Sequence, residues 1–217
     1  WLNTLKEAHI PIFNTVETML WNMDKSYLFD LSKQGVPIVP SIKIESLNEN
    51  ILAKINTWSE IIIKPTISAS AFGIKKLQTA NKKEVIHEIN TLLSVGNVLI
   101  QPFMKEIYDG EISFIFFDKQ FSHAVRKIPK KNDFRSQSDF GASQIRIYPD
   151  KKLINQACVI LNQIKSPLLY TRLDALVVHN SLQLMELELI EQHLFLEEAP
   201  EAATTFADAI ARNIITP

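Results

Sequence analysis

The sequence predicts an α+β protein folded into two lobes. Apolar residues recur at helical spacing in segments such as 82–93, and short β-branched runs lie between those segments. Further along, segments 111–118 and 120–127 are separated by a tight turn, which is typical of an antiparallel hairpin. The change from the first pattern to the second predicts a lobe boundary near residues 101–102.

The elements of the first lobe follow from these spacings. Helices are predicted at residues 1–8, 24–33, 46–55 and 82–93. Strands are predicted at residues 9–13, 36–40, 58–64, 74–77 and 98–101. We expect Asp24 to cap the second of these helices and Gly35 to end it.

The second lobe is predicted to be richer in strands. Besides the hairpin, apolar runs predict strands at residues 170–178 and 182–190, joined by a three-residue turn. A helix is expected at residues 151–164, and Pro200 in a first turn begins a last helix that runs to about residue 213.

The bulk composition narrows the functional classes. The chain has 217 residues, of which 46% are hydrophobic and 22% are charged, and its net charge is −1. This balance argues against a partner that is nucleic acid or an anionic membrane. No apolar run approaches the ~18 residues of a transmembrane helix. The single cysteine, Cys158, excludes intrachain disulfides and fits a reducing compartment, so we expect a cytoplasmic location.

Glycine is scarce, and this bears on nucleotide binding. The five glycines are Gly35, Gly73, Gly96, Gly110 and Gly141. No two of them lie within ten residues of each other, so the closely spaced glycines of the Walker A loop and of the dinucleotide fingerprint are absent. Other groups would therefore have to hold the phosphates of a nucleotide.

Lys64 is a candidate for that task. It ends the β-branched run 61–63 and precedes Pro65 and a loop of small residues at 66–72. Its ammonium group could meet a phosphate whose other oxygens face the N–H groups of the loop. Taken alone this is weak evidence, because strands often end in lysine.

An acidic strand suggests a metal site. Glu186 and Glu188 alternate with apolar residues, so they share one face of the strand, ~6.6 Å apart along the backbone. Asp174 could join them across a hairpin, and residues 173–211 contain no Lys or Arg. Three carboxylates suit Mg²⁺. An exposed strand face with solvated glutamates explains the pattern equally well.

Two other segments and one histidine each allow a functional and a structural interpretation. Residues 101–104 could present their backbone to the edge of an adenine, or they could be an ordinary linker. The run 126–135 has five cationic side chains against one Asp, which by itself describes a solvated face. His123 lies on a predicted strand, where a structural role is favoured over contact with a substrate.

In their order along the chain, these pieces resemble an ATP-grasp ligase. The resemblance covers nearly the whole chain from Trp21 and rests on six short motifs, which are Asp24-Lys25, Ile63-Lys64-Pro65, Gln101-Pro102-Phe103-Met104, Asp109-Gly110-Glu111, Arg172-Leu173-Asp174 and Met185-Glu186-Leu187-Glu188. The chain is most similar to bacterial glutathione synthetases and related amino-acid and peptide ligases. The stretch 185–191 resembles a branch that includes the cycloserine-forming ligase.

The resemblance implies an ATP-grasp fold, in which two α+β lobes hold ATP between them. Residues 1–20 would be the remnant of an upstream α/β domain, residues 21–100 the first lobe, and residues 101–217 the second lobe with the metal site. Such enzymes use ATP to activate a carboxylate as an acyl phosphate, which an amine then attacks. The expected partners are a small-molecule carboxylate and amine, at least one of them amino-acid-like, and a homodimer is compatible with this interpretation.

The resemblance also implies a role for each motif residue. The ATP-binding residues would be Lys25, Lys64, Ser68, Ser70, Gln101, Phe103, Met104 and Glu111. Among them the lysines would bind the phosphates, residues 101–104 the adenine, and Glu111 the ribose hydroxyls. Mg²⁺ would be held by Asp174, Glu186 and Glu188. Lys127 and Arg135 would act as catalytic cations on the transferred phosphoryl group or on the acceptor carboxylate.

Three departures from the family pattern leave other functions open. Relatives commonly have Asn where Glu188 stands, many have Arg where Lys127 stands, and the phosphate loop, usually rich in glycine, retains only Gly73. A degenerate, non-catalytic nucleotide-binding domain is therefore the alternative function. A metal-dependent hydrolase that uses the acidic cluster alone is a third hypothesis, but it leaves Lys25 and Lys64 without a role.

Overall fold

A computed structural model of the protein describes residues 1–8, 12–69 and 71–215. These residues form an α+β fold with two antiparallel sheets. The helices are α1 (Leu2–Glu7), α2 (Val16–Met23), α3 (Tyr27–Lys33), α4 (Glu49–Ile55), α5 (Lys82–Leu93), α6 (Lys151–Leu161) and α7 (Ala202–Ile215). The strands are β1 (Ile42–Ile44), β2 (Glu60–Pro65), β3 (Lys75–Gln78), β4 (Val98–Pro102), β5 (Glu111–Phe117), β6 (Gln120–Ile128), β7 (Ser143–Ile147), β8 (Tyr170–Val178) and β9 (Ser181–Glu188).

The first sheet has the strand order β1-β4-β2-β3, and each neighbouring pair is antiparallel. Ile61 and Ile63 of β2 are fully buried in one cluster with Ile89 of α5. Helix α5 spans the predicted range because Val85, Ile89 and Leu92 recur at helical spacing on its buried side.

The second sheet has the order β7-β6-β5-β8-β9 and is also antiparallel throughout. All seven residues of the central strand β5 are buried, because helices cover both faces of the sheet. Phe114 and Phe116 pack in one cluster with residues of α3 and α6, whereas Ile115 and Phe117 pack in another with residues of α7. This two-sided burial explains the continuous apolar run at residues 114–117 of the strand.

Helix α3 packs on the second sheet, although it precedes the first sheet in the chain. Tyr27 is buried in the same cluster as Phe114 of β5. Beyond α3, Ile38 makes a single parallel bridge to Leu184 of β9. The prediction of a strand at residues 36–40 is therefore wrong, because only Ile38 makes a β-bridge there.

The start of the chain differs most from the prediction. Helix α2 was not predicted, and it begins after Thr15, whose hydroxyl accepts a hydrogen bond from the Thr18 N–H at 3.3 Å. The helix expected from Asp24 begins at Tyr27 instead. The reason is that the Asp24 carboxylate accepts the Ser26 N–H at 2.8 Å and so forms a turn before the helix.

Two edge strands, β1 and β7, were also not predicted. Both are short edge strands with few apolar residues, and Ile145 of β7 is 52% exposed, so neither contains the apolar run on which the other strand predictions rested. Of the strand predicted at residues 9–13, residues 9–11 lie outside the described part, and residues 12–13 are not in a strand. In the described part of the chain, no helix has the length and apolar character needed to cross a bilayer. The proposed divisions 1–20, 21–100 and 101–217 stay predictions.

Candidate active site

The predicted site residues gather in two adjoining cavities that residues of both sheets line. The larger cavity, of about 780 Å³, contains these predicted site residues in its wall: Lys25, Ser68, Lys127, Glu186 and Glu188. The smaller cavity, of about 80 Å³, contains these: Lys64, Gln101, Phe103, Met104, Glu111, Arg135 and Glu186. Glu186 belongs to both walls, so the two cavities meet at the acidic strand. Ser70 lies outside the described residues.

The wall predicted to face adenine is built at the end of β4. The Gln101 side chain is buried and donates to the Ser41 hydroxyl at 2.8 Å. The Phe103 N–H donates to the Glu60 carbonyl at 2.9 Å, and the Lys76 ammonium lies 3.6 Å from the centre of the Phe103 ring. Phe103 therefore contributes its ring to this cavity, because its N–H is used to extend the sheet.

The two lysines predicted to bind phosphate reach the site from different elements. Lys64 is buried at the end of β2, and burial lowers the pKa of its ammonium group. Lys25 precedes α3 and donates to the Ser68 carbonyl at 2.7 Å. Its ammonium nitrogen also lies 3.2 Å from Glu186 Oε1. Lys25, Ser68 and Glu186 are thus held together, and the small-residue loop is tied to the acidic strand.

The carboxylates predicted to bind metal share one face of the β8–β9 pair. Asp174 is the register partner of Glu186, and Arg172 is the partner of Glu188. Asp174 is almost fully buried and accepts the Lys127 ammonium at 2.8 Å, which lies 3.3 Å from Glu111 on its other side. The compensation that the acidic segment lacks in its own sequence therefore comes from neighbouring strands.

Burial and neighbouring charges separate the acidities of these carboxyl groups. Burial would raise the pKa of Asp174, but Arg172 and Lys127 bring it down to about 2. The pKa of Glu186 is also lowered, against its burial, by Lys25 and Lys64. Burial raises the pKa of Glu188 to about 8 despite Arg172, so this is the weakest acid of the three.

Arg172 is a site residue that the sequence analysis left without a role. Its guanidinium pairs with Asp174 at 3.1 Å and with Glu188, and it lies 5.6 Å from the centre of the Phe195 ring. The Asp174 and Glu188 carboxylates raise its pKa, in spite of burial. A signal was present, because Arg172 stands two residues before Asp174 and so shares its face of the strand.

The segment after β6 closes the smaller cavity. Ser136 is buried and its hydroxyl donates to the carboxylate of Glu111, the residue predicted to bind ribose. Arg135 pairs with Asp133 at 2.7 Å and stacks on the Phe140 ring at 3.6 Å. Arg135 therefore lines this cavity, but its guanidinium group pairs with Asp133 of the same loop. The structure does not bring it to Lys127.

Two histidines near the site have different surroundings. His123 is buried, and its Nε2 lies 2.9 Å from the Leu194 carbonyl oxygen, as a structural role requires. His193 is half exposed, pairs with Glu197 at 3.2 Å and lines the larger cavity.

The donor set fits Mg²⁺ in its chemistry. The three carboxylates supply only oxygen ligands on rigid strands, and about 30% of the Glu186 side chain and 29% of the Glu188 side chain are exposed toward the larger cavity. Each carboxylate is directed to a cation, and among the described residues no group of three ligands is already gathered for a metal. A metal would therefore bind by exchange with Lys25, Lys127 or Arg172.

Comparisons with known proteins agree with this architecture. The cycloserine biosynthesis protein DcsG of Streptomyces lavendulae is 27% identical over 214 residues, which cover 89% of this chain and 70% of DcsG. A crystal structure of the D-cycloserine synthetase DcsG superposes with a TM-score of 0.83 at 24% identity, covering 98% of this chain and 77% of that one. For a D-alanine–D-alanine ligase of Bacillus anthracis the TM-score is 0.76 at 20% identity, with 97% and 73% covered. These two structural likenesses establish the fold.

The family is established by a sequence model that covers more than half of the chain. The model described as the ATP-grasp domain of prokaryotic glutathione synthetase matches residues 30–178. This match confirms the predicted resemblance, the α+β ATP-grasp fold and the prediction of an ATP-dependent ligase. The chain belongs to the family of prokaryotic glutathione synthetase ATP-grasp domains.

Proposed function

We propose that this chain joins a carboxylate to an amine and that it uses ATP to activate the carboxylate. One observation carries the proposal. Four buried or half-buried cations, from Lys25, Lys64, Lys127 and Arg172, surround the acidic face of β8 and β9 and the neighbouring carboxylate of β5. Phosphoryl transfer depends mainly on such positioned charges rather than on a nucleophilic side chain.

The proposed reaction has two steps. In the first, an oxygen of the substrate carboxylate attacks the γ-phosphorus of ATP, the bond to the β-phosphate oxygen breaks, and ADP leaves. In the second, the amine attacks the acyl carbon, the phosphate leaves, and the amine nitrogen loses a proton. Lys25 and Lys64 would hold the phosphates in place, and Lys127 would neutralise the charge of the phosphoryl group in transit.

Asp174, Glu186 and Glu188 would hold Mg²⁺. When bound, the metal would neutralise charge on the phosphate oxygens. The lowered pKa values of Asp174 and Glu186 support the proposal, since a metal ligand must be ionised, whereas Glu188, with a pKa of about 8, would release a proton when the metal binds. Arg172 lies between Asp174 and Glu188 and would keep both carboxylates in place before a metal enters.

The substrates are proposed from the chemistry of the larger cavity and from the relatives. Its wall combines cations, carboxylates and apolar side chains such as Leu20 and Ile67, as an amino-acid-like acid or amine would require. The names of the relatives refer to cycloserine synthesis and to the joining of two D-alanines. We propose small-molecule partners, a cytoplasmic location in keeping with the use of ATP, and two lobes at residues 21–100 and 101–217.

The test is the release of ADP across paired acids and amines. Wild-type protein should release ADP only when an acid is present, and an amine should increase turnover. Glu186→Gln should abolish release with the fold intact, whereas the matched variant Glu49→Gln, on the exposed side of α4, should keep it. Full turnover by Glu186→Gln would contradict the metal assignment. ATP binding without release for any pair would instead support the alternative, a nucleotide-binding domain without ligase activity.

A further inference from the structure

The strand that carries Glu186 and Glu188 lies at the edge of the second sheet. One side of β9 pairs with β8, and in the described part of the chain the only backbone bridge on its outer side is the one from Ile38 to Leu184, which leaves the end of the strand near Leu187 without a backbone partner there. Backbone groups along such an edge are normally left to water or to a second chain. Here two side chains from the N-terminal helices, those of Asn22 and Tyr27, take their place.

These two side chains bind the backbone of Leu187 and Leu189 directly. The Tyr27 hydroxyl accepts the Leu187 N–H at 2.7 Å and donates to the Leu187 carbonyl at 3.1 Å. The Asn22 amide donates to the same carbonyl at 2.7 Å and accepts the Leu189 N–H at 3.0 Å. Only 1% of Tyr27 and 7% of Asn22 are exposed, so water competes little for these bonds.

The position of Leu187 gives these bonds a consequence for the site. Its N–H belongs to the peptide unit that it shares with Glu186, and its C=O belongs to the unit that it shares with Glu188. Because each peptide unit is planar, a hydrogen bond to either group fixes the orientation of that whole plane. Tyr27 and Asn22 therefore fix the two peptide units that lie between Glu186 and Glu188.

The same short segment reaches the phosphate loop. Lys25 lies between Asn22 and Tyr27, its N–H donates to the Thr66 carbonyl at 2.8 Å, and its ammonium group contacts Glu186. Burial raises the pKa of Tyr27 well above its usual value, so the hydroxyl keeps the proton that it donates.

We infer that Asn22 and Tyr27 are positioning residues, which act through the backbone of Leu187 to hold Glu186 and Glu188 as a pair of ligands for a divalent cation. This inference rests on the metal site of the proposed function. Partners that orient metal ligands in this way typically change metal affinity by about 10- to 100-fold when they are removed.

The decisive variant is Tyr27→Phe, which removes one hydroxyl and keeps the buried ring. Tyr170→Phe is the matched control, because the Tyr170 hydroxyl donates to the Ile190 carbonyl at 3.0 Å, on the same stretch of chain but beyond Glu188. Mn²⁺ binding to each full chain is measured by electron paramagnetic resonance at saturating ADP. Unfolding curves of both variants show that the measurements are made on folded protein.

We expect Tyr27→Phe to weaken Mn²⁺ binding about 10-fold, and Tyr170→Phe to leave it within about twofold. The affinity for ADP in the presence of a chelator should be the same in all three proteins, since a purely structural defect would lower it. If Tyr27→Phe does not fold, Asn22→Ala takes its place with the same expectation. Equal Mn²⁺ affinity in the wild type and the variant would overturn this inference alone. Failure of the wild type to bind Mn²⁺ would overturn the proposed metal site and this inference with it.

Discussion

Lys127 is the side chain whose removal tests most directly how the buried charges of the site are balanced. Its ammonium nitrogen lies 2.8 Å from Asp174 and 3.3 Å from Glu111, and its side chain is only 6% exposed. The variant Lys127→Met keeps an unbranched apolar side chain in the same space and removes the charge. Two carboxylates then lose their shared cation inside the protein.

The expected loss of stability follows from what each carboxylate keeps. Removing one partner of a buried ion pair costs about 3–5 kcal/mol, because the other is left charged and uncompensated. Asp174 retains Arg172 at 3.1 Å and the Ser113 hydroxyl at 2.6 Å. We therefore expect Lys127→Met to lower the free energy of unfolding by about 3 kcal/mol at pH 7, the lower end of that range.

A double-mutant cycle separates the ion pair from other effects of the substitution. Asp174→Asn alone should also destabilise the protein. The double variant with Lys127→Met should lose about 2 kcal/mol less than the sum of the single losses, since each change removes the partner of the other. Lys83→Met on the exposed side of α5 is the matched control and should change the free energy of unfolding by less than about 0.5 kcal/mol.

The assay is urea unfolding followed by the fluorescence of the three tryptophans, with free energies obtained by linear extrapolation. The slopes should agree among the variants, so that midpoints report stability. Losses for Lys127→Met and Asp174→Asn that add to within about 0.5 kcal/mol would refute the coupling between these side chains.

Three further predictions concern a turn, a buried histidine and the metal. Gly110 has φ +100°, and an added Cβ would lie 2.5 Å from Cγ of Arg126, so Gly110→Ala should lower the free energy of unfolding by about 1–3 kcal/mol in urea; an unchanged midpoint would contradict this. Burial holds the pKa of His123 below 6.5, so protons favour the unfolded chain, and stability should be full above that pH and fall as the pH decreases. His123→Gln should therefore show a flatter stability profile between pH 7.5 and 5, and parallel profiles would argue against this cause. ATP with Mg²⁺ should raise the melting temperature more than ATP with a chelator. At 100 times its Kd, a ligand adds ~2.7 kcal/mol to the free energy of unfolding. Equal shifts in melting temperature would contradict a metal requirement.

The sequence was most informative where residues are buried on both sides. Strands β5 and β8 lie at or near their predicted positions because each contains a short apolar run, at residues 114–117 and 175–178, that leaves few alternatives. Each of the six motifs contributes at least one residue to the wall of one of the two cavities, although the predicted metal ligand Asp174 is in neither wall. The sequence analysis did not predict the contacts made by the start of the chain. Asn22 and Tyr27 bind a strand more than 150 residues away, and no local sequence pattern indicates such a contact.

The pairing of charges could not be predicted for the same reason. Lys127 and Asp174 are 47 positions apart, and their contact exists only because β6, β5 and β8 are neighbours in the sheet. Arg135 is a different case. The resemblance implied a role for it on the phosphoryl group or the acceptor carboxylate, which stays a prediction, and in the structure its guanidinium pairs with the carboxylate of Asp133, two residues away.

The charge pairs of the site imply that ATP and metal bind together rather than independently. Lys25 pairs with Glu186, and Lys127 pairs with Asp174, so a predicted phosphate-binding cation and a predicted catalytic cation neutralise two predicted metal ligands. Phosphates that take the lysines would leave the carboxylates uncompensated in a buried setting, which a divalent cation would relieve. A metal that takes the carboxylates would in turn free the lysines for phosphate. By linkage each ligand should then raise the affinity of the other by the same factor. The scarcity of glycine is consistent with this arrangement, since the loop near Ser68 is held by Lys25 rather than left free to fold over the phosphates.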